Sequence, residues 1–126
     1  MIRINQKICK EGHLMDPTWK ICPVCLAPVC GWLVILNGQG KNKNKVYTLH
    51  EGKLKIGTGA DCEVRVLMNT ISRHHALLVS RDKKYFISDL NSVTGTYVNN
   101  VQIGSKEIID SDIIKFGDFE FKFKCL

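Results

Sequence analysis

Proline is nearly missing: all three residues, Pro17, Pro23 and Pro28, fall before Val29, and none follows. Helical periodicity is missing too. Nowhere do apolar side chains recur at three- and four-residue spacing for more than about one turn. The most apolar stretch, Ile21 to Leu36, is broken by Pro23, Pro28 and Gly31 and is too short to span a bilayer. The N-terminus carries Arg3 and Lys7 but no uninterrupted apolar segment of the secretory kind, so the expected setting is the cytoplasm, with no membrane partner. There is no internal repeat and no low-complexity tract. Acidic side chains are in the minority, twelve against eighteen Lys and Arg, for a net charge of +6. That balance permits an anionic partner without choosing among phosphopeptide, nucleic acid and acidic surface. At 126 residues the chain is one domain, or one domain with a small appendage.

What is present divides into two textures. Residues 1–30 hold four of the six cysteines and every proline, and so short a segment needs a staple in place of a core. In a reducing compartment cysteines argue for metal or free thiols before disulfides. Cys9 and His13, then Cys22 and Cys25, form two close pairs of soft or borderline ligands. Three thiolates and one imidazole suit a closed, tetrahedral, structural Zn2+ site. Buried free thiols beside a surface histidine are the alternative; two ligand pairs favour zinc. Cys30 is a less well-spaced substitute for His13, and Cys62 and Cys125 read as lone core or edge thiols.

From Gly31 to Leu126 the pattern is short strands separated by turn residues. Runs are expected at Trp32 to Leu36, Val46 to Leu49, Leu54 to Gly57, Glu63 to Val66, Ala76 to Val79 and Tyr85 to Ile87. Further runs follow at Tyr97-Val98, Val101 to Ile103, Glu107 to Ile109, Ile113 to Phe116 and Phe119 to Phe123. The last alternates Phe119, Phe121 and Phe123 with charged neighbours, as a half-buried strand should. About eleven strands without helices predict an all-β sandwich or barrel.

The centre of this region is Ile71 to Asn100. Ser72-Arg73-His74-His75 precedes an apolar strand, a charged tip at Arg81 to Lys84 turns the chain, and Asp89-Leu90-Asn91-Ser92-Val93-Thr94-Gly95-Thr96-Tyr97-Val98-Asn99 follows. Together with Ile56-Gly57-Thr58, these blocks resemble the forkhead-associated (FHA) domain. That family's pattern is Gly-Arg, then Ser-Arg-x-His, then Asp-x-x-Ser-x-Asn-Gly-Thr-x-Val-Asn. The resemblance implies an FHA-type β-sandwich over residues 31–126 that binds phosphothreonine peptides through its loops. Residues 1–30 resemble the small zinc ribbons found beside such domains in bacterial proteins.

The resemblance also implies roles. Phosphopeptide contacts fall to Thr58, Ser72, Arg73, Val93 and Thr94. Gly57, His75, Asp89, Gly95 and Asn99 shape the loops, His75 from a buried position. Only Ser72 and Arg73 keep the family's residue among the five contacts. Thr58 stands where the family has arginine, whose planar fork suits phosphate; Val93 stands for threonine and Thr94 for asparagine. Arg65 is a candidate to supply the missing guanidinium. Ser72 beside two histidines does not suggest catalysis, because neighbours on a strand point to opposite faces and no nucleophile-elbow signature is present. The chain is therefore expected to be a non-enzymatic interaction module in signalling, with a degenerate phosphate pocket and a phosphorylated or unphosphorylated protein or peptide as partner. The alternatives are a phosphate-independent assembly module and a zinc-dependent nucleic-acid binder. Nucleic acid ranks below peptide, because Lys7, Lys10 and Lys20 are interleaved with Glu11 and Asp16 and form no basic stripe.

Overall fold

A computed structural model describes residues 7–8, 13–15, 18 and 26–126. Strands β1 (Lys7–Ile8) and β2 (Leu14–Met15) pair antiparallel in a small sheet of their own. The sandwich contains β3 (Val29–Ile35), β4 (Val46–His50), β5 (Gly52–Gly57), β6 (Val64–Arg65), β7 (Ala76–Arg81) and β8 (Lys84–Asp89). It continues with β9 (Thr96–Val98), β10 (Val101–Gln102), β11 (Ser105–Ile108), β12 (Ile113–Phe116) and β13 (Phe119–Cys125). One sheet has six strands in the order β10-β9-β12-β13-β3-β4 and the other five in the order β11-β8-β7-β5-β6, eleven in all. No α-helix occurs within the sandwich; a three-residue 3-10 turn, Gly40–Asn42, interrupts the β3–β4 loop.

Alternation builds the core. On β13, Phe121 and Phe123 face inward with no exposed surface and pair with Ile35 and Leu33 of β3, while Lys122 and Lys124 face out. Opposite them lie Leu54, Ile56, Leu78 and Ile87 of the five-stranded sheet, all buried. Phe116 tilts against Phe121 at 5.6 Å between ring centres, and Tyr85 meets Phe123 edge-on at 5.1 Å.

Several strands differ from the sequence expectation. β3 begins at Val29, not Trp32, and a bulge between Val29 and Gly31 carries it past Cys30, which is buried in the sandwich core. There the Cys30 thiol lies 3.8 Å from the Ser80 hydroxyl. β6 shrinks to two residues and pairs parallel to β5, a relation that needs a crossover and that turn residues do not announce. β11 starts at Ser105, ahead of Glu107. The charged tip is shorter than four residues. Arg81 pairs with Lys84, so Asp82 and Lys83 alone make the turn, with φ of 53° and 61°. Two positive φ values are the signature of a type I′ hairpin, whose twist matches the flanking strands.

Register places the recognition loops. Ile56, Ala76 and Asp89 sit side by side on β5, β7 and β8. The chain leaving β5, entering β7 and leaving β8 therefore emerges at one end of the sandwich.

Candidate functional site

Three loops meet at that end. The Thr58 N–H donates to the Ser72 carbonyl at 3.1 Å, and the Gly59 N–H to the Arg73 carbonyl at 3.0 Å. Gly57 permits this approach, since a Cβ there would stand 2.2 Å from the Arg73 carbonyl oxygen. The third loop joins through Ser72, whose hydroxyl oxygen accepts the Val93 N–H at 3.0 Å. Thr58, Ser72 and Val93 are thereby brought together.

His75 locks the arrangement from below. It is fully buried, its Nδ1 accepts the Ser72 N–H at 3.0 Å, and its Nε2–H donates to the Gly95 carbonyl at 2.8 Å. One acceptor and one donor define a neutral imidazole. Desolvation lowers its pKa from the ordinary value, against weaker raising effects from the Gly95 hydrogen bond and the Asp89 charge. Phe116 backs the ring edge-on at 5.4 Å.

Asp89 organises the third loop. Its Oδ1 accepts the hydroxyls of Ser92 and Thr96, and its Oδ2 accepts the Ser92 N–H at 3.2 Å. Partial burial would raise this carboxyl, but those hydrogen bonds outweigh it and hold the pKa below the ordinary value. The Ser92 hydroxyl in turn accepts the Gly95 N–H at 2.9 Å, and Gly95 takes a φ of 87° that other residues rarely adopt. Ser92 and Thr96 are working parts of the loop that the motif contained but motif matching alone did not assign.

The remaining positions divide. Arg73 is exposed, and among the described residues its guanidinium has no acceptor. Val93 is 92% exposed, so its methyls face outward from the loop. Thr94 is exposed, but its hydroxyl is engaged, donating to the Thr70 carbonyl at 3.1 Å. Thr70, whose own hydroxyl accepts the Asp118 N–H, carried no sequence signal. Asn99 lies at the far end of β9, where its side chain bridges Asp112 and the Ile113 N–H and ties the β9–β10 turn to the β11–β12 loop. Arg65 lies beside the first loop, with Nε donating to the Thr58 carbonyl at 3.2 Å.

A second polar cluster adjoins the site. His74 is exposed, and its Nε2 lies 2.9 and 3.0 Å from the two carboxylate oxygens of Asp61. Lys55 Nζ reaches Asp61 at 3.0 Å. Together the imidazole and ammonium hold the Asp61 carboxyl well below the usual carboxylate range. Cys62 completes a trio whose ligand atoms lie within 4.8 Å of one another. Metal binding there would require the Cys62 thiolate, yet burial pushes that thiol up and its S–H donates to the Arg73 carbonyl. Hydrogen bonding already accounts for the trio. Of the four expected zinc ligands, Cys9, Cys22 and Cys25 lie outside the described residues. His13 is buried and meets the His50 ring edge-on at 6.1 Å.

Comparison with known proteins agrees with this geometry. The family model for the FHA domain matches residues 54–117. The FHA domain-containing protein FhaA of Mycobacterium tuberculosis is 34% identical over 76 residues, covering 60% of this chain and 14% of that protein. The transcriptional regulatory protein EmbR of the same organism is 34% identical over 91 residues, covering 71% of this chain and 22% of the relative. The chain thus spans less than a quarter of either relative. A structure solved in a study of phosphothreonine-dependent FHA domain interactions superposes with a TM-score of 0.69 at 29% identity, covering 77% of this chain and 97% of that one. The FhaA FHA domain, crystallised with the intracellular domain of Rv3910, gives 0.66 at 29% identity, covering 75% and 99%. EmbR in complex with a low-affinity phosphopeptide gives 0.67 at 28% identity, covering 77% and 24%.

Proposed function

The chain belongs to the FHA domain family, and on that premise we propose that it is a signalling module binding phosphothreonine peptides through an altered phosphate pocket. FHA domains are interaction modules and not enzymes. The observation that carries the reading is the convergence on Ser72. Its oxygen accepts the Val93 N–H, which leaves its own O–H to donate, next to the Arg73 guanidinium, which has no acceptor among the described residues. Phosphate prefers such donors, and a charged fork is the strongest of them. Ser72 and Arg73 form the phosphate contact; Thr58 and Thr94 occupy positions where family donors are replaced. Val93 offers methyl contact to the peptide, and Thr94 contributes through its loop, since its hydroxyl is bonded to Thr70.

The test is a titration of phosphothreonine, phosphoserine and unphosphorylated versions of one peptide set. Phosphorylation should raise affinity, and Arg73→Ala should remove the gain. Equal affinity for phosphorylated and plain peptides would instead favour a phosphate-independent assembly module.

Residues 1–30 are proposed to form a zinc-ribbon-like segment holding one structural Zn2+ on Cys9, His13, Cys22 and Cys25. Ligand spacing and chemistry support this: three thiols and one imidazole make a closed donor set. Metal analysis of protein purified without added zinc should return about one equivalent; metal-free protein with an ordered N-terminus would reject the site. The proposed setting is cytoplasmic; among the described residues no helix is long and apolar enough to cross a membrane.

A further inference from the structure

The outer faces of the two sheets differ in kind. On the six-stranded sheet the central strands turn charge outward: Lys115 on β12, and Glu120, Lys122 and Lys124 on β13. A solvated antiparallel face is ordinarily built that way. On the five-stranded sheet Leu78, Tyr85 and Ile87 face the core, so by alternation β7 and β8 turn Leu77, Val79, Phe86 and Ser88 outward. None of these four is charged. Phe86 is 37% exposed, and Leu77 and Val79 are half-buried.

Charge stands at the margins of this apolar strip. The register aligns one row across four strands: Glu107 on β11, Phe86 on β8, Val79 on β7 and Lys53 on β5. β6 pairs with β5 only at Ile56 and Gly57, so β5 is the sheet edge at Lys53. Glu107 and Lys53 are exposed, and among the described residues neither forms an ion pair or a side-chain hydrogen bond. The row therefore reads negative, aromatic, aliphatic, positive, about 14 Å from end to end at about 4.8 Å per strand.

Such a row is its own complement. Consider a two-fold axis running along the strands, between β7 and β8. It lays Lys53 of a second copy against Glu107, Glu107 against Lys53, and Phe86 against Val79. A two-fold axis across the strands would instead set Glu107 against Glu107 and Lys53 against Lys53. The margins thus select the first arrangement. Its one like-charge meeting, Arg81 with Lys84, falls at the hairpin tip, where both are exposed and Arg81 lies beside Asp82. Aligned sheets cross at about 30°, which carries the tips apart.

We propose that the outer face of the five-stranded sheet docks a second copy of this chain, sheet on sheet, with two Lys53–Glu107 pairs fixing the register. Because the axis follows the strands, both recognition ends lie at the same end of the dimer. Four strands by three outward positions cover roughly 400 Å2 per copy. A stable complex buries about twice that per partner, so this dimer is transient and forms at high protein concentration.

The experiment is sedimentation velocity of the full chain in reducing buffer, at about 0.15 M salt to screen the net charge of +6. Protein runs from about 20 μM to about 1 mM, the range for a weak interface, and amide shifts are followed over the same dilution series. The sedimentation coefficient should rise with concentration, and the shift changes should centre on Lys53, Leu77, Val79, Phe86 and Glu107. Lys53→Glu and Glu107→Lys should each weaken association about three- to ten-fold, since each turns two exposed attractive pairs into repulsive ones. An equimolar mixture of the two variants should regain wild-type association, because each supplies the charge that the other lacks. Phe86→Ser, at an outward position, should remove association. A monomer throughout the range overturns the proposal. So does association indifferent to both charge reversals, a mixture no stronger than its parts, or shift changes confined to the recognition loops. No peptide is present in any arm, so the phosphothreonine reading stands or falls separately.

Discussion

Ser72 and Val93, on different loops, are joined by a hydrogen bond of 3.0 Å from the Val93 N–H to the Ser72 hydroxyl oxygen. The residue proposed to touch phosphate is thus also the fastener between two of the three recognition loops. Ser72→Ala should then cost more than one phosphate donor. Phosphopeptide affinity should fall at least ten-fold, as for loss of a charged hydrogen bond. Amide exchange in residues 92–95 should also accelerate in the free protein; unchanged exchange would separate the two roles.

Thr58→Arg restores a guanidinium where the family has one. Thr58 is half-buried beside Ser72, so the added side chain starts from the pocket rim. A hydrogen bond to a charged group contributes about 1.5–3 kcal/mol, which predicts a gain of about ten- to a hundred-fold in phosphopeptide affinity. Calorimetric titration checks this, and an unchanged dissociation constant would place the phosphate elsewhere.

The buried, neutral His75 sets a pH dependence. Its folded pKa lies below the ordinary 6.5, so the unfolded chain binds more protons in acid. Its contribution to stability is complete above about pH 6.5 and declines as pH falls through and below that value. Urea midpoints should drop from pH 7 to pH 5, and imidazole nitrogen shifts should report a neutral ring protonated at Nε2 at pH 7.

Asp89→Ala removes the acceptor shared by Ser92 and Thr96. Leaving those groups without their charged partner should destabilise the fold by about 1.5–3 kcal/mol, measured by urea unfolding. Asp89→Asn should recover part of the loss, because one oxygen remains.

At the β7–β8 tip, Asp82 and Lys83 both adopt positive φ without being glycine. A non-glycine residue in this region carries a cost of about 1–2 kcal/mol. Lys83→Gly should raise stability by about 1 kcal/mol after the entropy of glycine is deducted, read as a higher thermal midpoint with binding unchanged.

Much of this molecule was legible in order of residues alone. Alternating Phe119, Phe121 and Phe123 announced a half-buried strand, and an apolar run after Ser72-Arg73 announced β7. The block from Asp89 to Asn99 marked a tight polar loop, because Asp, Ser and Gly each have a local hydrogen-bonding reason to be there. What stayed hidden depends on partners distant in sequence. The parallel pairing of β6 with β5 has no turn to signal it. The Thr94 hydroxyl is used by Thr70, and Asp61 pairs with both Lys55 and His74; neither follows from spacing. Asn99 shows the reverse case: its motif position was plain, but its partners across the far end of β9 were not.

The cross-brace from the Ser72 N–H through His75 to the Gly95 carbonyl has a consequence for the timing of recognition. Loops tied to each other before any partner arrives lose little freedom when one docks, so the ordering cost of the encounter falls mainly on the peptide. Arrival rates should then be similar across related peptides, and discrimination should appear in how long each one stays.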